Sequence, residues 1–306
     1  MRIAFLGTPE FAIPSLAALF ARGDTLCVFT QPDRPVGRKA ILTPPPVKAY
    51  AMEHGIPVQQ FEKIRSAEGR AALEAFAPDL CVTAAFGQFL SAKTLAIPRL
   101  GTINVHGSLL PKYRGASPIQ RAIIDGETET GVTTMMTDIG MDTGDILLKA
   151  ATPIDPDETY GALSERLAAL GAELLMQTLD ALEAGTLVRT PQDSEAATVC
   201  HMLTKEDGRI DLHCGAKAIH DLVRGTDPWP GAYAMLDGQP LKILETRRTE
   251  ETFSDAPGTL RERHGRLYLC CADGALEIVI LQASGKKRMD AATFLRGCPL
   301  DGKCLC

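Results

Sequence analysis

The stretch that decides the fold of this chain is Gly101-Thr-Ile-Asn-Val-His-Gly-Ser-Leu-Leu-Pro-Lys-Tyr-Arg-Gly115. Its β-branched opening predicts a short strand over 102–106, and Gly107 then ends the strand and opens a loop. Because side chains alternate along a strand, Asn104 and His106 are expected on the same face. Both lie near the carboxyl end of the strand, which is where open α/β sheets bind their ligands.

A second polar stretch, Asp138-Ile-Gly-Met-Asp-Thr-Gly-Asp145, follows another apolar strand and can bring a carboxylate to the same edge. An asparagine amide can donate to a developing oxyanion, a histidine can carry a proton near neutral pH, and a carboxylate can orient that histidine. Ser108 does not lie in the Gly-x-Ser-x-Gly pattern of hydrolase nucleophiles, and no activated nucleophile is evident. The residue types therefore favour direct acyl-type transfer through a tetrahedral intermediate.

An alternative interpretation gives these polar residues a structural role only. Asn104 and His106 can satisfy backbone groups at the end of a strand. Likewise, Asp142-Thr143-Gly144 is typical of a tight turn held by an Asx hydrogen bond. The residue types alone leave both interpretations open.

The order of the motifs resembles one enzyme family. The segment 106–115, preceded by Asn104 and followed by Asp142-Thr-Gly-Asp145, is similar to the 10-formyltetrahydrofolate-dependent formyltransferases. Four further segments, at 31–38, 117–122, 227–230 and 283–287, resemble the branch that acts on methionyl initiator tRNA. This resemblance runs from Met1 to about Arg296. It implies transfer of the formyl group of 10-formyltetrahydrofolate to the amino group of that tRNA, for translation initiation.

The resemblance also implies roles for individual residues. In the family, an asparagine, a histidine and an aspartate are catalytic, and they match Asn104, His106 and Asp142. The residues expected to contact folate lie in a turn after a buried strand, in the loop after His106 and in the second polar stretch: Phe86, Gly87, Gln88, Leu90, Ser108, Leu109, Leu110, Pro111, Asp138, Ile139 and Gly140. Phe86 and Leu90 can also be core residues of an ordinary turn, and both roles are compatible.

Basic residues expected to bind the tRNA lie in two places. A Pro- and Gly-rich loop at 31–48 is longer than a typical connection, and in the family an inserted loop at this position contacts the acceptor stem. A basic cluster also follows the last predicted strand. The tRNA-binding residues implied by the resemblance are Arg34, Arg38, Lys39, Lys286, Lys287 and Arg288. The alternative is that both are simply solvated basic surface.

The composition excludes few functions. The 306 residues carry a net charge of −6, but residues 205–306 hold 15 basic and 15 acidic residues, so net charge neither predicts nor excludes tRNA binding. Nine cysteines at irregular spacings are expected to be reduced thiols, and no pattern of metal ligands is evident. Since the sequence shows neither a signal-peptide layout nor an apolar run long enough to span a bilayer, we expect a cytoplasmic protein without membrane association. We also expect a monomer, although no feature of the sequence determines the oligomeric state.

The predicted fold class is α/β with two domains. A Rossmann-like formyltransferase domain with a mostly parallel sheet is expected at 1–188, followed by a linker at 189–205. Five short strands with Asp-Gly turns between some of them predict a small β-barrel at 206–306, and the resemblance identifies it as an OB-like, tRNA-binding domain. The first strand and helix lack Gly-x-Gly-x-x-Gly, so dinucleotide binding is not favoured.

Several rival functions keep the same folate site. The strongest is a sugar-nucleotide formyltransferase acting on a UDP-linked amino sugar. The basic loop at 31–48 and the segment Ile119-Gln-Arg121 argue against it. Other rivals are hydrolysis or oxidation of formyltetrahydrofolate and formylation of glycinamide ribonucleotide. A rival of another class is an RNA-binding module on an inactive scaffold, which the intact Asn104, His106 and Asp142 disfavour.

Overall fold

The computed structural model describes residues 1–37 and 40–306. The chain forms two compact units. The first comprises Met1–Pro118, Thr130–Thr152 and Ser164–Cys200. The second comprises Ile119–Glu129, Pro153–Leu163 and His201–Cys306.

The strands up to Cys200 are short, and several are almost wholly apolar. They are β1 (Arg2–Gly7), β2 (Thr25–Thr30), β3 (Arg34–Val36), β4 (Ile41–Thr43), β5 (Val58–Gln60), β6 (Leu80–Ala84), β7 (Thr102–His106), β8 (Arg114–Gly115), β9 (Glu129–Met136), β10 (Ile146–Pro153) and β11 (Val199–Cys200). Seven of them form the central sheet in the order β10-β9-β7-β6-β1-β2-β5. The other four form two small ribbons, β3 with β4 and β8 with β11.

The sheet is parallel from β7 through β6, β1 and β2 to β5, and β9 runs antiparallel to β7. In β6 every side chain is buried, as expected where both faces of a parallel sheet are covered. The strand order reverses between β1 and β6, and β7 lies beside this point. Ligands of such sheets bind outside the carboxyl ends of the strands near the reversal. The predicted α/β class with a mostly parallel sheet is therefore confirmed.

The helices up to Cys200 begin and end at recognisable sequence signals. They are α1 (Ile13–Ala21), α2 (Pro46–Glu53), α3 (Ala67–Phe76), α4 (Ala92–Leu95), α5 (Pro118–Ile124) and α6 (Tyr160–Glu183), with a 3₁₀ turn at Glu10–Ala12. For example, the Ser66 hydroxyl accepts a hydrogen bond from the Gly69 N–H and so caps the start of α3. Proline stands in the first turn of α1 and of α2, where its missing N–H costs nothing.

The helix α6 packs directly on the strand that carries the candidate site. A Cβ at Gly171 would lie 2.8 Å from Val105 Cγ1, so only glycine allows this close approach to β7. A buried hydrogen bond of 2.8 Å between the hydroxyls of Thr134 and Thr178 joins the same helix to β9. Neither α6 nor any other helix in the described parts of the chain is long and apolar enough to cross a membrane.

The second unit contains a curled antiparallel sheet. The elements after Cys200 are a 3₁₀ turn (Glu206–Gly208), α7 (Ala216–Thr226), β12 (Tyr233–Leu236), β13 (Gln239–Arg248), β14 (Leu260–Arg263), β15 (Arg266–Cys271), β16 (Gly274–Ala283), β17 (Met289–Asp290) and α8 (Ala291–Gly297). The strand order is β12-β13-β16-β15-β14, and β17 pairs with β16. The register between β13 and β16 shifts at Glu245, and such an irregularity bends a strand. This half-barrel confirms the predicted OB-like domain.

The final segment, 303–306, pairs with both edges of this sheet. On one edge, Met235 and Cys306 exchange two backbone hydrogen bonds of 2.7 and 2.8 Å. On the other edge, the Leu260 N–H donates to the Lys303 carbonyl at 2.8 Å. The Leu305 side chain is buried in the core of the unit. The segment therefore covers two strand edges that would otherwise present unpaired backbone groups.

We expect Leu305→Ala to lower the free energy of unfolding of the second unit by about 2–5 kcal/mol, because it empties a buried leucine site. The change is measured as a lower midpoint in denaturant or thermal unfolding. The matched control is Cys306→Ala, which removes an exposed side chain and keeps both backbone hydrogen bonds to Met235. Equal midpoints for the two variants would show that the segment does not contribute to the core.

All nine cysteines lie in the described part of the chain and are free thiols. Burial raises the pKa of the Cys27 thiol to about 11 and that of the Cys81 thiol to about 12. Both thiols are therefore protonated and unreactive near neutral pH.

Candidate active site

Asn104 presents its amide at the face of β7 with a defined orientation. The carboxylate of Asp142 accepts a hydrogen bond from Asn104 Nδ2 at 3.5 Å, and the Thr83 hydroxyl donates to Asn104 Oδ1 at 2.8 Å. A carboxylate can only accept, so the NH₂ end of the amide must face Asp142. Asn104 is half-buried. It is also the only asparagine in the chain.

His106 is buried beside Asn104, with 5% of its surface exposed. Its Nε2 donates to the Tyr113 carbonyl at 2.9 Å. Because a carbonyl can only accept, Nε2 carries a proton, and Nδ1 is the nitrogen that can gain or lose one. Nδ1 lies 3.7 Å from Asp142 Oδ2, which is an ion-pair distance when the ring is protonated. Tyr113 has a φ of +60°, in the left-handed region.

Asp142 joins three parts of the site through one carboxylate. Its Oδ1 accepts from Asn104, while its Oδ2 accepts from the Gly115 N–H at 2.9 Å and faces His106. The register of β9 on β7 places Met136 opposite Ile103 at the beginning of β7, so the following loop must fold back along β7 to bring Asp142 to His106. The carboxylate that the sequence predicted near this strand is therefore present beside both polar side chains.

Hydrogen bonds among neighbouring residues shape the loop that carries Asp142. Asp138 accepts hydrogen bonds from the Gly140 N–H at 3.0 Å and from the Thr143 hydroxyl at 2.7 and 2.8 Å. A Cβ at Gly140 would lie 2.0 Å from the Thr143 hydroxyl, so the turn requires glycine there. The Asx hydrogen bond considered as an alternative role for Asp142 is thus made by Asp138. The Asp142 carboxylate instead contacts Asn104, Gly115 and His106.

A residue that the sequence did not single out holds the backbone of this loop. Gln192 Nε2 donates to the carbonyls of Asp142 and Gly144, each at 2.8 Å. Its Oε1 accepts from Arg114 Nε at 3.0 Å. Gln192 lies in the segment predicted as a linker, and no pattern in the sequence distinguishes it from its polar neighbours.

The turn at 85–90 combines a buried and an exposed part. Phe86 is buried in the core with Leu6 and Phe29, and Leu90 packs on the same cluster. Gln88 uses both ends of its amide on backbone groups, donating to Phe61 and accepting from Ile64. These residues fix the turn, which leaves Gly87 and the neighbouring Phe89 exposed. A small cavity of about 170 Å³ is lined by Gln88, Phe89 and three charged or polar residues at 62, 63 and 65.

The loop after His106 also divides into inward and outward residues. Ser108 is fully buried and donates its hydroxyl to the Lys112 carbonyl at 2.7 Å, and Leu110 is fully buried in a cluster with Met135 and Ile146. Leu109 and Pro111 are partly exposed. The Ser108 hydroxyl therefore supports the loop rather than offering a nucleophile. Among the described residues, no three His, Cys, Asp or Glu side chains are grouped to hold a metal ion.

The residues predicted to bind tRNA are placed as follows. Arg34 is exposed at the start of β3 and pairs with Glu62 at 2.6 Å. Lys286, Lys287 and Arg288 are exposed between β16 and β17 in the second unit. Arg38 and Lys39 lie outside the described residues.

Comparison with known proteins places the chain in a family. The family model described as Formyl transferase matches residues 1–179, and the model described as Formyl transferase, C-terminal domain, matches residues 202–299. The methionyl-tRNA formyltransferase of Geotalea uraniireducens is 52% identical over 301 residues, which are 97% of this chain and 95% of that protein. The methionyl-tRNA formyltransferase of Pelobacter propionicus is 50% identical over 97% of this chain and 93% of its own length.

A solved structure gives a fold comparison only. The N-formyltransferase from Helicobacter canadensis, in complex with folinic acid and dTDP-3-aminofucose, matches with a TM-score of 0.70 at 18% identity. The match covers 92% of this chain and 99% of that one. Since both family models match in chain order and relatives at half identity span nearly the full length, the chain belongs to the methionyl-tRNA formyltransferases of the formyl transferase family.

Proposed function

We propose that the chain transfers the formyl group of 10-formyltetrahydrofolate to the amino group of methionyl initiator tRNA, with Asn104, His106 and Asp142 as its catalytic residues. The observation that carries the proposal is their convergence at β7: an oriented amide donor, an imidazole with one exchangeable nitrogen and a carboxylate. None of the three is arranged as a covalent nucleophile, which supports direct transfer of the formyl group between two nitrogen atoms.

In this mechanism Asn104 stabilises the charge that develops on the formyl oxygen. The neutral amine attacks the formyl carbon, and the carbonyl electrons move to its oxygen. The Asn104 NH₂ is pre-oriented by the bond from the Thr83 hydroxyl to its other end, so little reorganisation is needed when the charge appears. A donor of this kind contributes about 10²–10³-fold in rate.

His106 moves the proton that must leave the attacking amine and reach the departing N10 atom. Its Nδ1 accepts the proton, and Nε2 stays bonded to the Tyr113 carbonyl throughout, which holds the ring in place. Asp142 Oδ2 faces Nδ1 and stabilises the protonated ring. One proton is thus carried from one nitrogen to the other, with no net gain or loss by the protein.

The residues of the two loops fit a folate-derived formyl donor, which the family uses. Phe89 and Ile139 expose 67% and 78% of their surfaces on loops assigned to the folate site, and apolar side chains of this kind suit a flat pterin ring. We further propose that Leu109, Pro111, Gly87 and the 138–140 turn contact the donor. Ser108, Leu110, Phe86, Gln88 and Leu90 then act by shaping these loops.

The proposal also covers the domain bounds, the residues that contact the tRNA and the oligomeric state. The family-model matches at 1–179 and 202–299 support two successive domains. For these we keep the predicted bounds, a catalytic domain at 1–188, a connecting segment at 189–205 and a tRNA-binding domain at 206–306. Arg34, Arg38, Lys39, Lys286, Lys287 and Arg288 are proposed to contact the tRNA, and the protein is proposed to act as a monomer. A sugar-nucleotide acceptor is not favoured, because the sugar-modifying structure compared above is 18% identical and shares the fold alone.

The proposal is tested by supplying 10-formyltetrahydrofolate with methionine-charged initiator tRNA, and in parallel with a UDP-linked amino sugar. Formyl transfer to the tRNA alone is the expected result. Transfer to the sugar alone would overturn the acceptor assignment, and transfer to neither would overturn the reaction.

We expect Lys287→Ala to raise the KM for tRNA without changing the KM for the folate donor, because a phosphate contact is lost. The slope of log KM against log salt concentration should fall by about 1. Lys93→Ala, which removes an exposed lysine on α4, is the control and should leave both values unchanged. An effect confined to the folate KM would contradict tRNA binding by Lys287.

A further inference from the structure

The Gln192 amide has only one orientation that its partners allow. One end faces two backbone carbonyls, of Asp142 and Gly144, which can only accept hydrogen bonds. The other end faces the guanidinium of Arg114, which can only donate. The NH₂ must therefore point at the loop and the oxygen at Arg114. Arg114 is 7% exposed, so this guanidinium is itself held in the interior.

We propose that Gln192, oriented by Arg114, is a positioning residue that sets the place of the Asp142 carboxylate beside His106. This inference rests on the proposed function, because it assigns to Asp142 a role in the chemistry of His106. Gln192 does not act on the reacting atoms. It holds the two peptide groups that flank the Asp142–Gly144 turn.

The Asp142 backbone needs such support. Its φ of +52° lies in the left-handed region, which costs energy for any residue except glycine and persists only where the surroundings impose it. Gly144 is also constrained, since a Cβ there would lie 1.9 Å from the Met136 carbonyl. Without the two hydrogen bonds from Gln192, the turn can relax, and the carboxylate then moves relative to Gly115 and His106.

Gln192 is presented by a segment that is itself anchored to the site. Thr190 and Ile146 exchange two backbone hydrogen bonds of 2.8 and 2.9 Å just before it. Further along, β11 pairs with β8, and the Arg114 N–H donates to the Thr198 carbonyl at 2.8 Å. The segment 190–200 therefore clamps together the loop that carries Asp142 and the strand that carries Gly115.

The kinetic test compares Gln192→Ala and Gln192→Glu with the wild type. Both variants should lower kcat about 10–100-fold, the usual cost of losing a group that orients a functional side chain, with KM values within about 2-fold. Glutamate is included because it keeps a partner for Arg114 but turns an acceptor toward two carbonyls. Gln177→Ala is the control: Gln177 is exposed on α6, outside every segment assigned to the site, and its loss should leave kcat unchanged.

A double-mutant cycle separates positioning from general damage. In an Asp142→Ala background, Gln192→Ala should lower kcat by less than about 2-fold further, because the group it positions is already absent. A full additional loss in that background, or an unchanged kcat in the single variant, would overturn the proposal.

A second measurement does not depend on activity, so it can distinguish a failure of the positioning role from a failure of the proposed function. Amide hydrogen exchange measured by NMR should show that the Gly115 N–H, which donates to Asp142 Oδ2, loses protection in Gln192→Ala. Arg114 and Ala116, whose N–H groups donate to Thr198 and Cys200, should keep theirs. Unchanged protection at Gly115 would overturn the positioning role. An inactive wild type with the expected loss of protection would instead count against the proposed function alone.

Discussion

Replacement of His106 by alanine is expected to lower kcat by about 10³–10⁴-fold while the protein stays folded. General acid–base catalysis contributes about 10²–10⁴-fold, and His106 is the group in this site placed to move the proton from the amine to the leaving nitrogen. Single-turnover formyl transfer from the folate donor to charged tRNA measures the loss directly. The KM for tRNA should change little, because the ring is 5% exposed and offers little surface to the substrate.

The variant His106→Gln separates proton transfer from structure. Glutamine can still donate to the Tyr113 carbonyl, but it cannot carry a proton, so its kcat should be as low as that of the alanine variant. A glutamine variant with near wild-type kcat would show that the imidazole only satisfies a backbone group, which is the structural role considered from the sequence.

His220→Ala provides a matched control in the second unit. His220 is also buried and hydrogen-bonded, with Nδ1 2.8 Å from the Thr246 hydroxyl and Nε2 3.1 Å from Asp157 Oδ1 and 3.3 Å from the Pro156 carbonyl. Burial lowers the pKa of its imidazole, so it is neutral in the folded protein at neutral pH. Its loss should lower the unfolding midpoint and leave kcat within about 2-fold. The His106 variants should lower kcat far more, even at temperatures well below their own unfolding midpoints.

Asn104→Ala is expected to lower kcat by about 10²–10³-fold, or roughly 3–4 kcal/mol of transition-state stabilisation. The amide is half-buried and already oriented by its hydrogen bond from Thr83. A water molecule that takes its place in the alanine variant would not be held in the same orientation, so the donor is lost. Asn104→Asp should be at least as damaging, because it keeps the shape but turns a negative charge toward Asp142 and the developing oxyanion. Steady-state kcat at saturating donor and tRNA measures both effects.

The single asparagine of the chain allows a direct check. Selective ¹⁵N labelling of asparagine should give one side-chain NH₂ pair in the NMR spectrum, and the donor analogue 5-formyltetrahydrofolate should shift it. An Asn104→Ala variant with near wild-type kcat, or an NH₂ signal insensitive to the analogue, would contradict its role as the oxyanion donor.

Much of the site could be predicted because its main signals are local. The strand at 102–106 and the common face of Asn104 and His106 follow from alternation along one strand, and the structure has both. The parallel sheet and the antiparallel half-barrel follow from apolar strands, helix signals and Asp-Gly turns. One such turn, Asp237-Gly238, has the two positive φ angles, 49° and 75°, that a type I′ hairpin requires. The resemblance to the formyltransferase family identified Asp142 as the third predicted catalytic residue.

Other features were beyond sequence reasoning, because they depend on which groups meet once the chain has folded. The Tyr113 carbonyl decides which nitrogen of His106 exchanges its proton, and a backbone carbonyl has no sequence signature. Ser108 and Leu110 remain predicted folate contacts, and the motif did not show that both side chains are buried. Gln192 stands in a polar stretch typical of a linker, and only folding brings it to Asp142, 50 residues earlier in the chain.

By itself, the sequence determined the fold class and the common face of two residues of the candidate site, because strand periodicity and turn chemistry act between near neighbours. The tertiary structure decided the orientation of the Asn104 amide, the proton-bearing nitrogen of His106 and the clamp on Asp142. Each of these depends on a donor or acceptor that the folded chain brings to the site from another loop or strand. Hydrogen bonds are short and directional, so a shift of about 1 Å decides whether such a partner is present.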